Sequence, residues 1–275
     1  MKTSTFKSLC SFFIVFVSVF SAVAAAESLK FITAPTHSKQ QTLAIYKPIV
    51  DYLSDKTGKE IELTFPINFL DYVNKMRAGV YDITFDGPHF TSWRIKHLGD
   101  TPVVRFPSQI KIAVITTSDY PQFENIDDLV GRRVCAFASP NLLTMAYLNH
   151  YPNPIRLPVI IPAKGFKGLL QCLKTGKGKA AVLRDKIWHK IDKTGLKLIS
   201  IPEASYPDRT FTVSNRIDTA TKNIIQQALL APEATPHIHK LLKTFKKPEF
   251  IEASEKEYEG IDQLLNQIWA FKKRR

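Results

Sequence analysis

Only three of the 275 residues are cysteine, which excludes a small disulfide-framed protein and a four-cysteine zinc site. Acidic residues are also scarce, because 25 Asp and Glu stand against 38 Lys and Arg and leave a net charge of +13. Such a surface favours anionic partners, among them nucleic acids, lipid headgroups and small anions, but it does not define the fold. Hydrophobic residues make up 44% and charged residues 23%, the composition of a packed globular protein rather than a disordered one.

Common catalytic motifs are missing as well. The sequence contains no G-x-S-x-G nucleophile elbow, no G-x-x-x-x-G-K-[ST] phosphate loop and no H-E-x-x-H zinc motif. His237 and His239 lie two positions apart in a helical pattern, so they point to roughly opposite sides and make a poor metal pair. We therefore expect no metal site, no cofactor and no enzymatic activity.

After its first 26 residues, the chain has no apolar run long enough to span a membrane. Within residues 1–26, Lys2 and Lys7 precede an apolar stretch at 9–23 that ends in three alanines, which is typical of a cleaved secretory signal peptide. The alternative is an uncleaved membrane anchor, for which the apolar run is short. The sequence thus predicts a soluble protein exported to the periplasm, beginning near Glu27, and export argues against a nucleic-acid partner.

Two cysteines, Cys135 and Cys172, remain after removal of the signal peptide. In an oxidising compartment they could form a disulfide. Both lie inside regular apolar elements, where buried free thiols are common, and this favours two unpaired thiols.

The hydrophobic pattern alternates between strands and helices. Predicted strands at 28–34, 60–65 and 81–85 alternate with predicted helices at 39–57, 69–78 and 90–98. The alternation repeats between 109 and 214, and the remainder reads as helices at 218–230, 236–246 and 255–271. Repeated β-α-β units predict parallel sheets with helices on their faces.

A series of short motifs follows the same order. They are Tyr46–Leu53, Thr57-Gly58-Lys59, Met76–Ile83, Asp86-Gly87-Pro88, Ile126–Val134, Gly176–Val182, Phe250-Ile251 and Tyr258. Together with the signal peptide, they resemble the phosphonate-binding family of periplasmic solute-binding proteins, which serve ABC importers, over essentially the whole mature chain.

This resemblance implies an α/β clamshell of two lobes, each a mostly parallel sheet flanked by helices. Lobe one would comprise 27–113 and 212–275, lobe two would comprise 114–211, and two strand crossovers would join them. The ligand would lie in the cleft between the lobes. The residue pattern supports this place independently, because open α/β sheets bind ligands outside the carboxyl ends of their strands, where helix amino termini favour anions.

The resemblance also implies which residues of lobe one face the ligand. Tyr46 would contact the ligand through its hydroxyl or ring, although the position equally suits a core aromatic. Gly87 lets the backbone approach closely, and the aromatic that the family often has after the following proline is here Phe90, or Thr91 if the match is shifted by one. His89 could bind a ligand oxygen or be structural. The lobe-one candidates are Tyr46, Asp86, Gly87, His89, Phe90 and Thr91.

Lobe two departs from the family pattern, which usually has a Ser-Thr-Ser-Gly run at this turn. The turn here offers Ser139, Asn141 and Thr144 as polar candidates, with Leu142 and Leu143 in place of two hydroxyls. Losing two donors to a buried oxyanion would cost about 1.5–3 kcal/mol for each bond. The backbone N–H groups of the turn could still bind an anion.

Two further departures follow in lobe two. Phe166, followed by Lys167, stands where the family commonly has a histidine, and Arg184 stands where it has an acidic residue. An arginine suits a carboxylate, sulfate or phosphate rather than an amine. Alternatively, Arg184 pairs with Asp185 or another neighbour, or lies solvated at its strand end.

The sequence therefore predicts a monomeric solute-binding protein that passes a small ligand with an anionic or polar head, resembling a phosphonate or phosphate, to an ABC permease. The departures in lobe two favour a larger, partly apolar ligand, for which a lipid-like molecule is one alternative. A ligand-sensing partner of a membrane receptor is another alternative.

Overall fold

The computed structural model describes residues 28–266, 268 and 271, and the predicted signal peptide lies outside them. The strands are β1 (Leu29–Thr33), β2 (Ile61–Leu63), β3 (Ile83–Asp86), β4 (Thr101–Arg105), β5 (Gln109–Ile110), β6 (Ile112–Thr117), β7 (Arg133–Ala136), β8 (Val159–Pro162), β9 (Ala180–Arg184), β10 (Leu196–Ser200), β11 (Tyr206–Pro207), β12 (Thr210–Val213) and β13 (Ile251–Glu252). The helices are α1 (Lys39–Thr57), α2 (Phe69–Arg77), α3 (Pro88–Leu98), α4 (Leu142–Leu148), α5 (Gly165–Lys174), α6 (Asp185–Trp188), α7 (Thr219–Leu230) and α8 (Thr235–Phe245).

Two sheets form the centres of two lobes. The sheet of lobe one has the strand order β13-β4-β12-β3-β1-β2, and the sheet of lobe two has the order β10-β6-β9-β7-β8. In lobe one, β12 and β13 run against the other four strands, and in lobe two only β6 runs against the rest. The two-lobed α/β fold with mostly parallel strands is therefore confirmed.

The chain passes between the lobes twice. It leaves lobe one after β4 and enters lobe two at β6, and it returns between β10 and β12. The short strands β5 and β11, which lie on the two crossing segments, pair with each other in an antiparallel two-stranded sheet. The crossing segments are thus joined by backbone hydrogen bonds.

Both faces of each sheet are covered, as β-α-β units require. In lobe one, α1, α7 and α8 enclose one apolar cluster that contains Phe31 and Phe211, and α2 and α3 enclose another that contains Tyr72 and Phe90. In lobe two, α4 covers one face, and α5 covers the other together with Trp188. No helix among the described residues is long and apolar enough to cross a membrane.

Two helices of lobe one start at the sheet edge that faces lobe two. Helix α1 begins after the cap Ser38, whose side chain and that of Gln41 form a capping box, and it ends at Gly58 in the left-handed conformation. Helix α3 has Pro88 in its first turn, directly after β3. The carboxyl ends of β1 and β3 therefore lead straight into helix amino termini at the cleft.

The expectation of two free thiols is wrong, because Cys135 of β7 and Cys172 of α5 form a disulfide. Both side chains belong to the apolar layer between α5 and the sheet, and their Cα atoms lie 6.1 Å apart. Burial in an apolar element therefore did not distinguish a thiol from a cystine. Gly178 fits beside this disulfide because a Cβ atom at that position would lie 2.5 Å from the Cys135 sulfur.

The predicted helix at 255–271 is also wrong over its described part. Residues Glu255–Tyr258 and Ile261–Leu265 form two short 3₁₀ helices, and Gly260 between them has φ 75°. This C-terminal segment contacts both lobes: Ile261 and Leu264 join the lobe-two cluster beside α4, and Leu265 joins the lobe-one cluster beside α3.

Candidate functional site in the cleft

The start of α1 forms the first part of the cleft wall. Strand β1 ends at Thr33, and the following turn leads to the helix cap at Ser38. A cavity of about 60 Å³ opens here. Its lining includes Thr33, Pro35, His37, Lys39, Thr42 and Phe65. The partial positive charge of the amino terminus of a 19-residue helix therefore faces a small cavity with polar side chains.

Two buried polar atoms near this cavity have no hydrogen-bond partner among the described residues. They are Nε2 of His37 and the hydroxyl oxygen of Tyr46. The Tyr46 ring packs against Phe31 and Phe85, with centroids 5.7 and 6.1 Å away. Tyr46 is therefore a core aromatic whose polar end is unsatisfied. Burial raises the pKa of Tyr46 against the opposing effects of the Arg209 charge and of the neighbouring Thr33 hydroxyl, which itself donates to the carbonyl of Phe85. Burial followed by the charge of Arg209 lowers the pKa of His37.

Arg209 is the cation at the centre of this region. It lies at the return crossing, directly before β12, and its guanidinium carbon stands 4.9 Å from the centre of the Phe245 ring. The edge of the same ring faces His37, with centroids 6.0 Å apart. The charge of Arg209 also acts on the pKa values of Tyr46 and His89. Within the described chain, Arg209 forms no ion pair with a carboxylate.

Asp86 is engaged inside lobe one. Its carboxylate accepts hydrogen bonds from Arg94 at 2.9 Å and from the hydroxyl of Tyr72. Thr91 adds a 3.5 Å contact to the same carboxylate. Arg94 and Asp86 are both almost fully buried, so this ion pair fixes the end of β3 beneath the first turn of α3.

His89 connects the two lobes. Its Nε2 lies 2.9 Å from the carbonyl oxygen of Pro140, the residue of lobe two that precedes Asn141. Burial lowers the pKa of His89 to about 4, so the ring is neutral at pH 7, donates through Nε2 and leaves Nδ1 as an acceptor. Gly87 is needed here because a Cβ atom would lie 2.8 Å from the His89 ring. Phe90, the next residue, points into the lobe-one cluster beside Tyr72.

The turn of lobe two satisfies its own polar groups. The Asn141 side chain accepts from the N–H of Leu143 at 3.0 Å, and the Thr144 hydroxyl donates to the carbonyl of Phe137 at 2.7 Å. Leu142 and Leu143 are buried in the same cluster as Ile261 and Leu264 of the C-terminal segment. Ser139 is exposed.

The remaining lobe-two candidates have partners of their own or are exposed. Phe166 packs edge-on against Phe137, with centroids 5.4 Å apart, and Lys167 is exposed. Arg184 donates to Asp208 at 3.3 Å. It therefore has a carboxylate partner in the structure.

Asp208 lies on the return crossing and collects groups from both lobes. Besides Arg184 of β9, Ser108 donates to it at 2.8 Å and Lys247 donates at 2.6 Å. Burial would raise the pKa of Asp208, but the charge of Arg184 and the hydrogen bond from Lys247 outweigh burial and lower the pKa to about 2.

The charge of Arg209 thus acts on the pKa values of Tyr46, His89 and Asp86. Asp86 and Thr91 are bonded to each other inside lobe one, and Arg184 pairs with Asp208 at the crossing. Sequence reasoning did not identify His37 or Arg209. Each had a signal: His37 immediately precedes the cap of α1, and Arg209 immediately precedes the strand that returns to lobe one. Among the residues that the structure describes, no group of three or more His, Cys, Asp or Glu side chains could hold a metal ion.

The two sheets, the paired crossings and the cleft between the lobes define a two-lobed binding protein. The model of the family described as "ABC transporter, phosphonate, periplasmic substrate-binding protein" matches residues 31–258, and the chain belongs to this family. Its members bind small molecules and interact with a membrane permease, and they are binding proteins rather than enzymes. The predicted solute-binding function for an ABC importer is confirmed. No curated protein matches the chain.

Solved structures share the fold at low sequence identity. PhnD1 from Prochlorococcus marinus, in complex with methylphosphonate, has a TM-score of 0.64 and 15% identity, over 87% of this chain and 97% of its own. XAC2383 from Xanthomonas citri, bound to ATP, has a TM-score of 0.70 and 12% identity, over 88% and 98%. A binding protein component of an ABC phosphonate transporter from Pseudomonas aeruginosa has a TM-score of 0.60 and 15% identity, over 86% and 85%.

Proposed function

We propose that the protein captures a compact oxyanion, of the phosphonate or phosphate type, at Arg209 and passes it to an ABC permease. The observation that carries this proposal is the guanidinium of Arg209, which forms no ion pair with a carboxylate in the described chain. Burial and then the charge of Arg209 lower the pKa of His37, and the same charge opposes the burial that raises the pKa of Tyr46. Each of these two side chains has a buried polar atom with no hydrogen-bond partner among the described residues. We call Arg209, His37, Tyr46 and the first turn of α1 the Arg209 site.

The unsatisfied polar groups of the Arg209 site favour the binding of an anion. Each unsatisfied buried polar atom costs about 1–3 kcal/mol, and a bound oxyanion would accept from the Tyr46 hydroxyl and from Arg209. The amino terminus of α1 adds a partial positive charge to the same region. The ring of Phe245 packs beside Arg209 and against Phe85, and these rings lower the local dielectric constant, which strengthens the hydrogen bonds and charge interactions with an anion.

The carboxylates near the cleft argue against a cationic ligand group. Asp86 is neutralised by Arg94, and Asp208 by Arg184 and Lys247. An ammonium group on the ligand would therefore find no unpaired partner among these carboxylates. This supports a phosphonate without an amine.

The small cavity at the start of α1 supports a compact ligand over the larger, partly apolar one. The cavity beside α1 measures about 60 Å³, and Leu142 and Leu143 pack against the C-terminal segment. His89 also contacts Pro140 directly across the cleft. These contacts commit the two leucines to an apolar cluster with Ile261 and Leu264.

The proposal includes the features of the mature protein. We propose that the signal peptide at 1–26 is cleaved and that the protein acts as a periplasmic monomer. For the lobe boundaries we keep two crossings. Sheet membership supports positions between 105 and 112 and between 200 and 210, a few residues before the boundaries predicted at 113 and 211.

Calorimetry on the mature protein tests the ligand class. The panel is inorganic phosphate, methylphosphonate, which is bound in PhnD1, 2-aminoethylphosphonate, and ATP, which is bound in XAC2383. We expect methylphosphonate or phosphate to bind at least about tenfold more tightly than 2-aminoethylphosphonate, because the unpaired ammonium must lose its hydration. Tightest binding of ATP or 2-aminoethylphosphonate would contradict the proposal.

A further inference from the structure

Lobe two has an unusual charge distribution. From Leu129 to Arg184 the sequence contains nine Lys and Arg and no Asp or Glu, and four of these cations belong to the side away from the cleft. Strand β7 runs from Arg133 towards the turn at Ser139, which lies at the cleft. The amino-terminal ends of β7 and of its parallel neighbour β8 therefore lie at the distal end of lobe two.

Backbone contacts assemble several of these cations at that end. The N–H of Val159 donates to the carbonyl of Arg132 at 2.8 Å, and Arg133 pairs with Val159 across the two strands. The N–H of Lys179 donates to the carbonyl of Arg133 at 2.7 Å, which places the turn with Lys177 beside it. We call Arg132, Arg133, Ile155, Arg156, Val159 and Lys177 the distal face.

The distal face also exposes large aliphatic side chains. Ile155 is 91% exposed and Val159 is 51% exposed. The turn that presents Ile155 is ordered locally, since the Asn153 side chain accepts from the N–H of Ile155 at 3.0 Å and its carbonyl accepts from the N–H of Arg156 at 3.0 Å. Ile155 is thus held in solvent with Arg156 directly beside it.

Acidic groups do not neutralise this face. Arg132, Arg133, Arg156 and Lys177 are exposed, and none forms an ion pair within the described residues. The acidic side chains that precede the face in sequence are engaged locally: Asp127 lies 3.8 Å from the His150 ring, and Asp128 caps its own turn. The cations of the distal face are therefore available to an external partner.

We propose that the distal face binds the surface of an anionic lipid bilayer. An exposed isoleucine surrounded by cations matches a membrane interface, where an aliphatic side chain enters the headgroup region while basic side chains meet anionic lipids. An acidic protein surface would accommodate the cations but would gain less from a protruding isoleucine. Because the distal face lies opposite the cleft, this interaction leaves ligand binding free.

Vesicle co-sedimentation of the mature protein tests this proposal. Vesicles of 30% phosphatidylglycerol in phosphatidylcholine should bind the protein, and pure phosphatidylcholine should not. Arg132→Ser with Arg156→Ser should weaken binding about 25-fold, at about fivefold for each cation. Ile155→Ser should weaken binding several-fold without changing its salt dependence, because it removes no charge.

The matched control is Lys240→Ser with Lys243→Ser, which removes two exposed cations from α8 of lobe one. We expect this pair to change vesicle binding less than threefold. Thermal melts should show all variants folded, and phosphonate affinity should be unchanged in each. An equal loss in the control pair would reduce the effect to net charge and overturn the proposal. So would binding that requires a purified permease and is indifferent to lipid charge.

Discussion

The two sides of the cleft differ in how their polar groups are used. On the lobe-one side, the polar atoms of His37 and Tyr46 lack hydrogen-bond partners among the described residues, and Arg209 forms no ion pair with a carboxylate there. On the lobe-two side, Asn141 and Thr144 bond within their own turn. We infer that lobe one supplies the groups that bind an anion and that lobe two supplies a preformed cover. Loss of hydroxyls from the lobe-two turn is then compatible with anion binding.

The largest effect should come from removal of the disulfide. This change tests whether lobe two contributes to the stability of the protein rather than to its ligand affinity. Cys135→Ala with Cys172→Ala removes a link that spans 37 residues, which should lower the free energy of unfolding by about 4 kcal/mol. Equilibrium urea unfolding measures this loss. Methylphosphonate affinity, measured on the folded variant at low temperature, should change less than about threefold if the comparison holds. A parallel collapse of affinity would place binding groups in lobe two.

Arg209→Gln should lower ligand affinity and leave stability nearly unchanged. We expect methylphosphonate affinity to fall about 100-fold, close to 3 kcal/mol, because two charge-assisted hydrogen bonds are lost, while stability changes by less than about 1 kcal/mol. Calorimetry measures the affinity. Arg216→Gln is the matched control, since Arg216 lies after the other end of β12 and is about half exposed. A similar loss in both variants would mean that Arg209 acts only through the overall charge.

His89 should make stability depend on pH through its contact across the cleft. Its pKa is about 4 in the folded protein and near 6.5 when unfolded, so the unfolded state binds the proton more readily between these values. The contribution of His89 to stability is therefore fully present above pH 6.5 and is lost as pH drops through 4, by about 3 kcal/mol in total. His89→Gln should reduce the slope of this part of the unfolding profile and leave the contribution of His37, whose pKa is also lowered. The carboxyl of Asp208, with a pKa of about 2, affects stability at lower pH. That part of the unfolding profile should be the same with and without His89→Gln and serves as an internal reference.

Tyr46→Phe should have the smallest effect. The Tyr46 ring stays in its core position, and removal of an unsatisfied buried hydroxyl should leave the free energy of unfolding unchanged or raise it slightly. Affinity for methylphosphonate should fall about fivefold, because one hydrogen bond to the ligand is lost. Unchanged affinity, measured by calorimetry, would remove Tyr46 from the Arg209 site and leave it as a core residue.

Much of the fold could be predicted from the sequence because the β-α-β pattern is local. The helix over 39–57 has its cap, its apolar face and its stop at Gly58 within one short stretch. Strand β4 was missed because Pro102 obscures its alternation, and pairing with β12 decides its conformation. The helix predicted at 255–271 failed because the apolar residues of this segment pack against two lobes rather than along one helical face.

The candidate site was less predictable, because it depends on which groups find partners. Asp86 follows a strand at the cleft, yet Arg94, eight residues later, turns back to neutralise it. Arg184 is a cation at a strand end, but Asp208 on the crossing segment occupies it. Arg209 stands out only once the structure shows that the neighbouring carboxylates are already paired. Sequence spacing cannot report such competition between distant side chains.

Asp208 has a mechanical consequence. Its carboxylate accepts hydrogen bonds from Arg184 of lobe two and from Ser108 and Lys247 on the lobe-one side of the crossings. Any rotation of one lobe against the other that preserves these three hydrogen bonds must have its axis close to that carboxylate. Opening of the cleft about this axis would require His89 to release the carbonyl oxygen of Pro140, while the centre of rotation stays at Asp208.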